Sequence, residues 1–287
     1  MTSHTMPNQT RPSQTMPNHA TTSDAHPTAG PSRTPAVRPV SFTRLVRVEA
    51  RKLVDTRAGR ALLGLCALIT AVSVWGAIVW MPDLQFENVV MFLFDIATIP
   101  VSMLVPVVAI LAATAEWSQR TGLATFALEP RRARVIAAKV AVSCGAGLLA
   151  AAAALAAVLL GLGITTLLGD APGSWGLGSH GGARLAGTTL VIVLTMLQAS
   201  AFGFALLNTP AAIVSFFVLP TAVTMASTLS TWFAEHAAWL DIASAGSPFL
   251  SGQVTSTDWM HLASAAAIWI GLPMAVGVVR VLRSDLK

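Results

Sequence analysis

Beyond residue 60 the chain is dominated by apolar runs long enough to cross a bilayer, for which about 20 residues suffice at 1.5 Å rise per residue. Six such runs are predicted, at about Ala61–Trp80, Val89–Thr114, Val140–Leu168, Leu185–Leu207, Ala211–Leu229 and His261–Leu282. Most contain no ionised side chain. Trp75, Trp80, Trp232, Trp239, Trp259 and Trp269 fall at or near the run ends, where an amphipathic ring prefers the headgroup level. Between Ser41 and Ala58 the periodicity changes. Phe42, Leu45, Val46 and Leu53 recur at three- and four-residue spacing while Arg44, Arg47, Arg51 and Asp55 turn elsewhere, the pattern of a helix lying on a membrane surface. Glu49 falls on the same stripe as Phe42 and Leu53, with Lys52 at i+3 as its simplest partner.

Composition changes the picture at two points. Residues 1 to about 40 are rich in Thr, Pro, Ser, Asn and His, with too little apolar surface to offset the entropy of ordering, so a disordered tail is expected ahead of a permease-sized domain over 41–287. Its near-repeat, Thr5-Met6-Pro7-Asn8 and Thr15-Met16-Pro17-Asn18, reads as low-complexity drift; a loose soft-metal site at His4, His19, His26, Met6 and Met16 is the alternative. No apolar segment of a secretory signal lies in the first thirty residues. The whole chain is 54% hydrophobic and 11% charged, whereas a soluble domain carries about 25% charged residues. That excludes a soluble enzyme. Cys66 and Cys144 both lie inside apolar runs, so neither a disulfide framework nor a cysteine metal site is written.

Charge fixes an orientation. Arg11, Arg33, Arg38, Arg44, Arg47, Arg51, Lys52, Arg57 and Arg60 precede the first run; Arg120, Arg131, Arg132, Arg134 and Lys139 separate the second and third; Arg280, Arg283 and Lys287 close the chain. Only Arg184 is left over. An even number of spans puts both ends on one side, and the positive-inside rule makes that side cytoplasmic. The opposite connections carry Asp83, Glu87, Asp170, Glu235, Asp241 and Asp258. This distribution explains a pI near 10.2 better than nucleic-acid binding does.

The connection from Ala115 to Arg134 is too polar for lipid and too apolar for a plain linker. Trp117, Leu123, Phe126 and Leu128 would give a short helix an apolar side that needs something to dock against it, or the helix simply covers the end of the bundle. Pro130 stops it. The run Glu116-Trp117-Ser118-Gln119-Arg120-Thr121, followed by Leu128-Glu129-Pro130-Arg131-Arg132 and Lys139, resembles the first cytoplasmic loop of type-2 ABC-transporter permeases. Arg47-Val48-Glu49-Ala50-Arg51-Lys52 with Thr56-Arg57 resembles their N-terminal connecting helix. Gly122 departs from the Ala of that pattern.

That resemblance implies an all-α integral membrane protein of six transmembrane helices, with an interfacial helix at 41–58, a cytoplasmic coupling helix, and a re-entrant extracellular hairpin before the last span. It implies that Glu116, Trp117, Gln119, Arg120, Thr121, Leu123, Phe126 and Leu128 dock onto a separate cytoplasmic ATPase. It also implies a second permease copy or paralogue as dimer partner in the plasma membrane. ATP and magnesium would then be bound and used on the partner subunit, and this chain would bind no cofactor or metal and catalyse nothing. No Gly-x-x-x-x-Gly-Lys-Ser/Thr loop, HExxH pair, Gly-x-Ser-x-Gly elbow or clustered carboxylate site is written. The resemblance also assigns the half-inserted hairpin to Thr231–Met260, a long connection dotted with Trp232, Phe233, Trp239, Leu240, Phe249 and Leu250. Asp95 either lines a cavity inside the second span or sits at the interface. Gln198 either bonds a neighbouring helix or contacts substrate. An ATPase-independent transporter or channel, or a scaffold that transports nothing, are the competing readings.

Overall fold

The computed structural model describes residues 41–80, 88–118, 131–169 and 175–283. The predicted tail and residues 119–130 of the docking segment lie outside the described residues. All regular structure among those described is helical. Six helices are long and apolar enough to cross a membrane, the character of a multi-pass membrane protein. They are α2 (Arg57–Trp80), α3 (Val89–Ser118), α4 (Arg132–Leu167), α5 (Gly181–Leu206), α6 (Thr209–Leu229) and α9 (Ser256–Arg283). Ahead of them lies α1 (Phe42–Asp55), and between α6 and α9 lie two short helices, α7 (Thr231–Leu240) and α8 (Ile242–Ser251).

Each of the six contains one of the predicted apolar runs, and several continue past it. Helix α4 begins two turns before Val140, at Arg132, and α9 begins at Ser256. Hydropathy marks only the stretch that lipid requires to be apolar, whereas the helical hydrogen-bond ladder runs on through polar residues. The central helices are α3 and α5. Met91, Leu93, Phe94, Ala97 and Ile110 of α3, and Ala199, Ala201 and Phe204 of α5, have essentially no exposure. Helices α2 and α6 are peripheral and turn Leu68, Val72, Val214 and Met225 outward. Large apolar side chains on an outer face are what lipid, rather than water, accommodates.

Small residues set how closely the central helices approach. A Cβ on Gly203 of α5 would press on the Ala113 side chain of α3, and one on Gly277 of α9 would meet the Phe204 side chain and backbone. The small pair Ala199 and Gly203 thus serves packing within this chain. The turn from α1 into α2 is equally tight: Gly59 N–H donates to the Thr56 hydroxyl at 3.1 Å, and any side chain on Gly59 would collide with the Leu53 carbonyl.

Helix α1 carries an N-cap at Ser41, whose hydroxyl accepts from Arg44 N–H at 3.4 Å. Its buried face is narrower than the predicted stripe. Leu45 and Glu49 are buried and Leu53 is partly buried, but Phe42 is 43% exposed. The face that α1 presents inward is therefore centred on a carboxylate.

Replacing Gly203 by Leu should push α3 and α5 apart, with a stability cost of about 1–3 kcal/mol typical of overpacking. Gly64 of α2 has open space around it, so Gly64→Leu serves as control. Thermal unfolding of the purified variants is the measurement, and equal midpoints would refute this account of the α3–α5 contact.

Candidate functional site

Four ionised side chains from three helices meet beneath α1. Lys52 Nζ lies 2.6 Å from Glu49 Oε1 and 3.2 Å from Glu116 Oε1. Lys139 Nζ lies 2.7 Å from Glu49 Oε2 and 2.9 Å from Glu116 Oε1, and it also donates to the Ala112 carbonyl at 2.8 Å. Glu49 and Lys52 come from α1, Glu116 from the last turn of α3, and Lys139 from the third turn of α4. Glu49, Glu116 and Lys139 are each 3–4% exposed. A buried charge is tolerated only when paired and hydrogen-bonded. Here two ammonium groups face two carboxylates, and Lys139 hydrogen-bonds Glu49 and the Ala112 carbonyl while ion-pairing with Glu116.

The electrostatics follow from that pairing. Burial pushes the Glu49 carboxyl up, but the Lys139 and Lys52 ammonium groups outweigh it and hold Glu49 below its ordinary value. Burial pulls Lys52 down, but the hydrogen bond from Glu49 and the charge of Glu116 hold it above its ordinary value. The Glu49 contribution to stability is thus present above the ordinary glutamate pKa and is lost as pH falls through the depressed one. The Lys52 contribution is present below the ordinary lysine pKa and is lost as pH rises through the raised one. Between those limits, neutral pH included, both contributions are present.

Two residues grouped by sequence with the docking segment belong to this interior. The Glu116 carboxylate is turned inward, and its Oε2 has no hydrogen-bond partner among the described residues. Trp117 packs on an apolar cluster of Leu45, Ala113, Val135, Ile136, Ala138, Phe204 and Val281, so it does have a core of its own. Gln119, Arg120, Thr121, Leu123, Phe126 and Leu128 lie outside the described residues. Lys139, read from sequence as a topology charge and as the end of the run resembling a coupling loop, is a buried member of the cluster. Its i+3 counterpart Glu49–Lys52 was visible in the sequence, but the partners of Lys139 lie 23 and 90 positions away.

Arginines at the same end close helix termini. Arg132 Nη1 donates to the Val281 carbonyl at 2.8 Å, and Arg280 Nη1 to the Ala205 carbonyl at 2.8 Å. The last carbonyls of α9 and α5 have no intrahelical donor, and a cation there also complements the helix dipole.

At the opposite end, Arg184 in the first turn of α5 pairs with Asp95 of α3 and donates through Nε to the Leu250 carbonyl of α8 at 3.2 Å. Asp95 is 48% exposed at its side chain. It is the seventh residue of α3. Gln198, in contrast, is buried in α5, and its Nε2 has no hydrogen-bond partner among the described residues. It is not joined to the nearby buried Ser143–Ser200 hydroxyl pair at 2.9 Å.

Helices α7 and α8 meet at Asp241, which is 1% exposed. Its carboxylate caps α8, accepting from the backbone N–H groups of Ala243 at 3.3 Å and Ser244 at 3.1 Å, the Ser244 hydroxyl at 2.7 Å and the Thr224 hydroxyl at 3.3 Å. The last carbonyls of α7 are taken by side chains of α9: Ser264 Oγ donates to Trp239 O at 2.9 Å and Trp269 Nε1 to Leu240 O at 2.7 Å. From Asp241, α8 runs back along α5. Gly246 sits on Val191, Phe249 on Gly187 and Gly252 on Arg184, successively nearer the start of α5. A Cβ on Gly187 would collide with the Phe249 carbonyl, and Gly252 adopts φ +74° against Arg184, so both contacts require glycine.

Comparison of the chain with protein-family models, with curated proteins and with solved structures finds no match.

Lys139→Met would leave two carboxylates facing one ammonium, at a cost of about 3–5 kcal/mol. Adding Glu49→Met removes the orphaned charge and should recover most of that loss. The readout is the thermal midpoint of the purified protein; a double variant no more stable than the single one would mean that the cluster is not held by charge balance.

Proposed function

We propose that this chain is the membrane-spanning subunit of an ATP-driven exporter of the type-2 ABC permease kind, with its arginine-rich end in the cytoplasm. It works as a dimer with a second permease, and a separate ATPase docks on the segment that follows α3. The observation that carries this reading is the coincidence of that segment with the buried cluster. The residues that resemble a coupling loop begin at Glu116, and Glu116 is ionically tied to α1 and α4. A force applied beyond Ser118 would reach three helices at once, which is what a subunit driven from outside needs.

The paired short helices support it further. Ten residues make about 15 Å of helix, roughly half of a hydrocarbon core ~30 Å thick. With α7 entering and α8 returning, Asp241 sits near mid-depth, beside the middle of α9. Backbone at that depth is stable only when protein satisfies it, and the donors and acceptors around Asp241 do so. This is the half-inserted hairpin of the reading.

The test is pull-down of the cognate ATPase, with vanadate-sensitive ATP turnover of the complex, for Phe126→Asp and Arg120→Glu. Truncating or charging a central aromatic anchor commonly costs about 2 kcal/mol or more of binding, a loss of roughly thirtyfold or more. Glu116→Lys is a poor probe of docking, since it reverses a buried charge and should unfold the cluster. If both loop variants bind and turn over as the parent does, the ATPase reading fails and a self-contained transporter or channel takes its place. Orientation is checked separately. A cysteine at Glu235, exposed on α7, should react with an impermeant reagent in intact cells, and one at Arg131 should not. Labelling at Arg131 alone would invert the topology.

A further inference from the structure

A cavity of about 570 Å³ opens between α1 and α3, with the charge cluster of Glu49, Lys52, Glu116 and Lys139 forming part of its lining. Its two walls differ. Val48, Arg51, Lys52 and Asp55 line it from α1, and their i, i+3, i+4, i+7 spacing places all four on one face of that helix. Val108 and Leu111 line it from α3, seven to ten residues inside the end of a span, or about 10–15 Å along its axis. The α1 wall is therefore charged and at the level of an interfacial helix; the α3 wall carries Glu116 and Ser118 at the same end and becomes apolar deeper, at Val108 and Leu111, at the level of acyl chains. A water-soluble ligand would match only the first wall, and a plain hydrocarbon only the second.

The charges narrow the occupant. Arg51 and Asp55 are exposed and have no ion-pair partner among the described residues. Lys52 spends two protons on Glu49 and Glu116 and keeps one. The mouth thus offers donors to a phosphate and, one turn along the same face, an acceptor for an ammonium. An anionic headgroup would satisfy the arginine and be repelled by the aspartate. We infer that the cavity between α1 and α3 is a binding site for a phospholipid of the ethanolamine class, its phosphate held by Arg51 and Lys52, its ammonium by Asp55, and an acyl chain lying on Val108 and Leu111. The volume is of the size that small-molecule sites have. This site depends on the six helices lying in a bilayer and not on whether an ATPase docks.

The experiment is native mass spectrometry of the full chain in mild detergent, titrated with dioleoyl phosphatidylethanolamine, phosphatidylcholine or phosphatidylglycerol. Phosphatidylcholine has the same net charge but no N–H on its amine. Ethanolamine lipid is expected to be retained with about tenfold preference over both others. Arg51→Ala and Asp55→Ala should each abolish the preference; neither side chain has a structural partner, so thermal midpoints should be unchanged. Leu111→Trp fills the cavity from the opposite wall and should abolish retention independently. Glycerophosphoethanolamine, which has the headgroup but no chains, should not compete. Equal retention of the three lipids, an unchanged preference in the Arg51 and Asp55 variants, or full competition by the chain-free headgroup would each overturn the proposal. None of these results bears on ATPase pull-down, so the two readings fail separately.

Discussion

An ammonium group that is 4% exposed, as on Lys139, keeps its proton only if the protein replaces the water it has lost. Glu49, Glu116 and the Ala112 carbonyl do so, and the positions of three helices follow. Helix α1 cannot roll without removing Glu49 from Lys139 and Lys52 from Glu116. The end of α3 cannot slide without removing Glu116 from both lysines. Breaking a buried pair by taking one partner away costs about 3–5 kcal/mol, more than a typical surface contact contributes. The cluster therefore defines how the interfacial helix joins the bundle, and the tight Gly59 turn lets α2 depart from that fixed point.

The same requirement shapes the far end by different means. Around Asp241 the groups in need are mostly backbone: neutral side chains of α9 meet the last carbonyls of α7, and the Asp241 carboxylate meets the first N–H groups of α8. A single carboxylate serves four donors there and needs no counter-charge nearby. At the arginine-rich end, Arg132 and Arg280 each reach carbonyls closing another helix. Residues that the sequence marks as topology charges thus also lock helix to helix.

How much of this was legible depends on the range of the physics involved. The six spans could be read because lipid tests each stretch of about 20 residues locally. The Glu49–Lys52 pair could be read because i and i+3 adjoin on any helix. The α1 stripe was half right: Leu45 is buried, but Phe42 is exposed and a carboxylate takes the centre of the face. Lys139 could not be read, since nothing near Val140 announces a partner 90 positions earlier. Glu116 was placed with the segment it precedes, because a motif shows neighbours in sequence and not the direction of a side chain. Asp241 looked like an exposed loop acid for the same reason.

The two kinds of contact in the bundle differ in what they permit. Around Gly203 the contact of α3 with α5 is made of Ala113, Gly203 and Ile110, apolar and without a directional bond, whereas the Asp95–Arg184 pair ties the same two helices at their other end. Surfaces of the apolar kind can shift by a fraction of an ångström with only dispersion energy at stake. The contact of α3 with α1 and α4 passes through two ion pairs of Glu116 and the bond from Lys139 to the Ala112 carbonyl, and tolerates less drift. A displacement at the Ser118 end of α3 is thus shared with α1 and α4, while the apolar contact with α5 near Gly203 lets that end shift about the Asp95–Arg184 pair at the other. The division into a rigid group and a sliding partner comes from where the charges are buried, and it holds whatever applies the force.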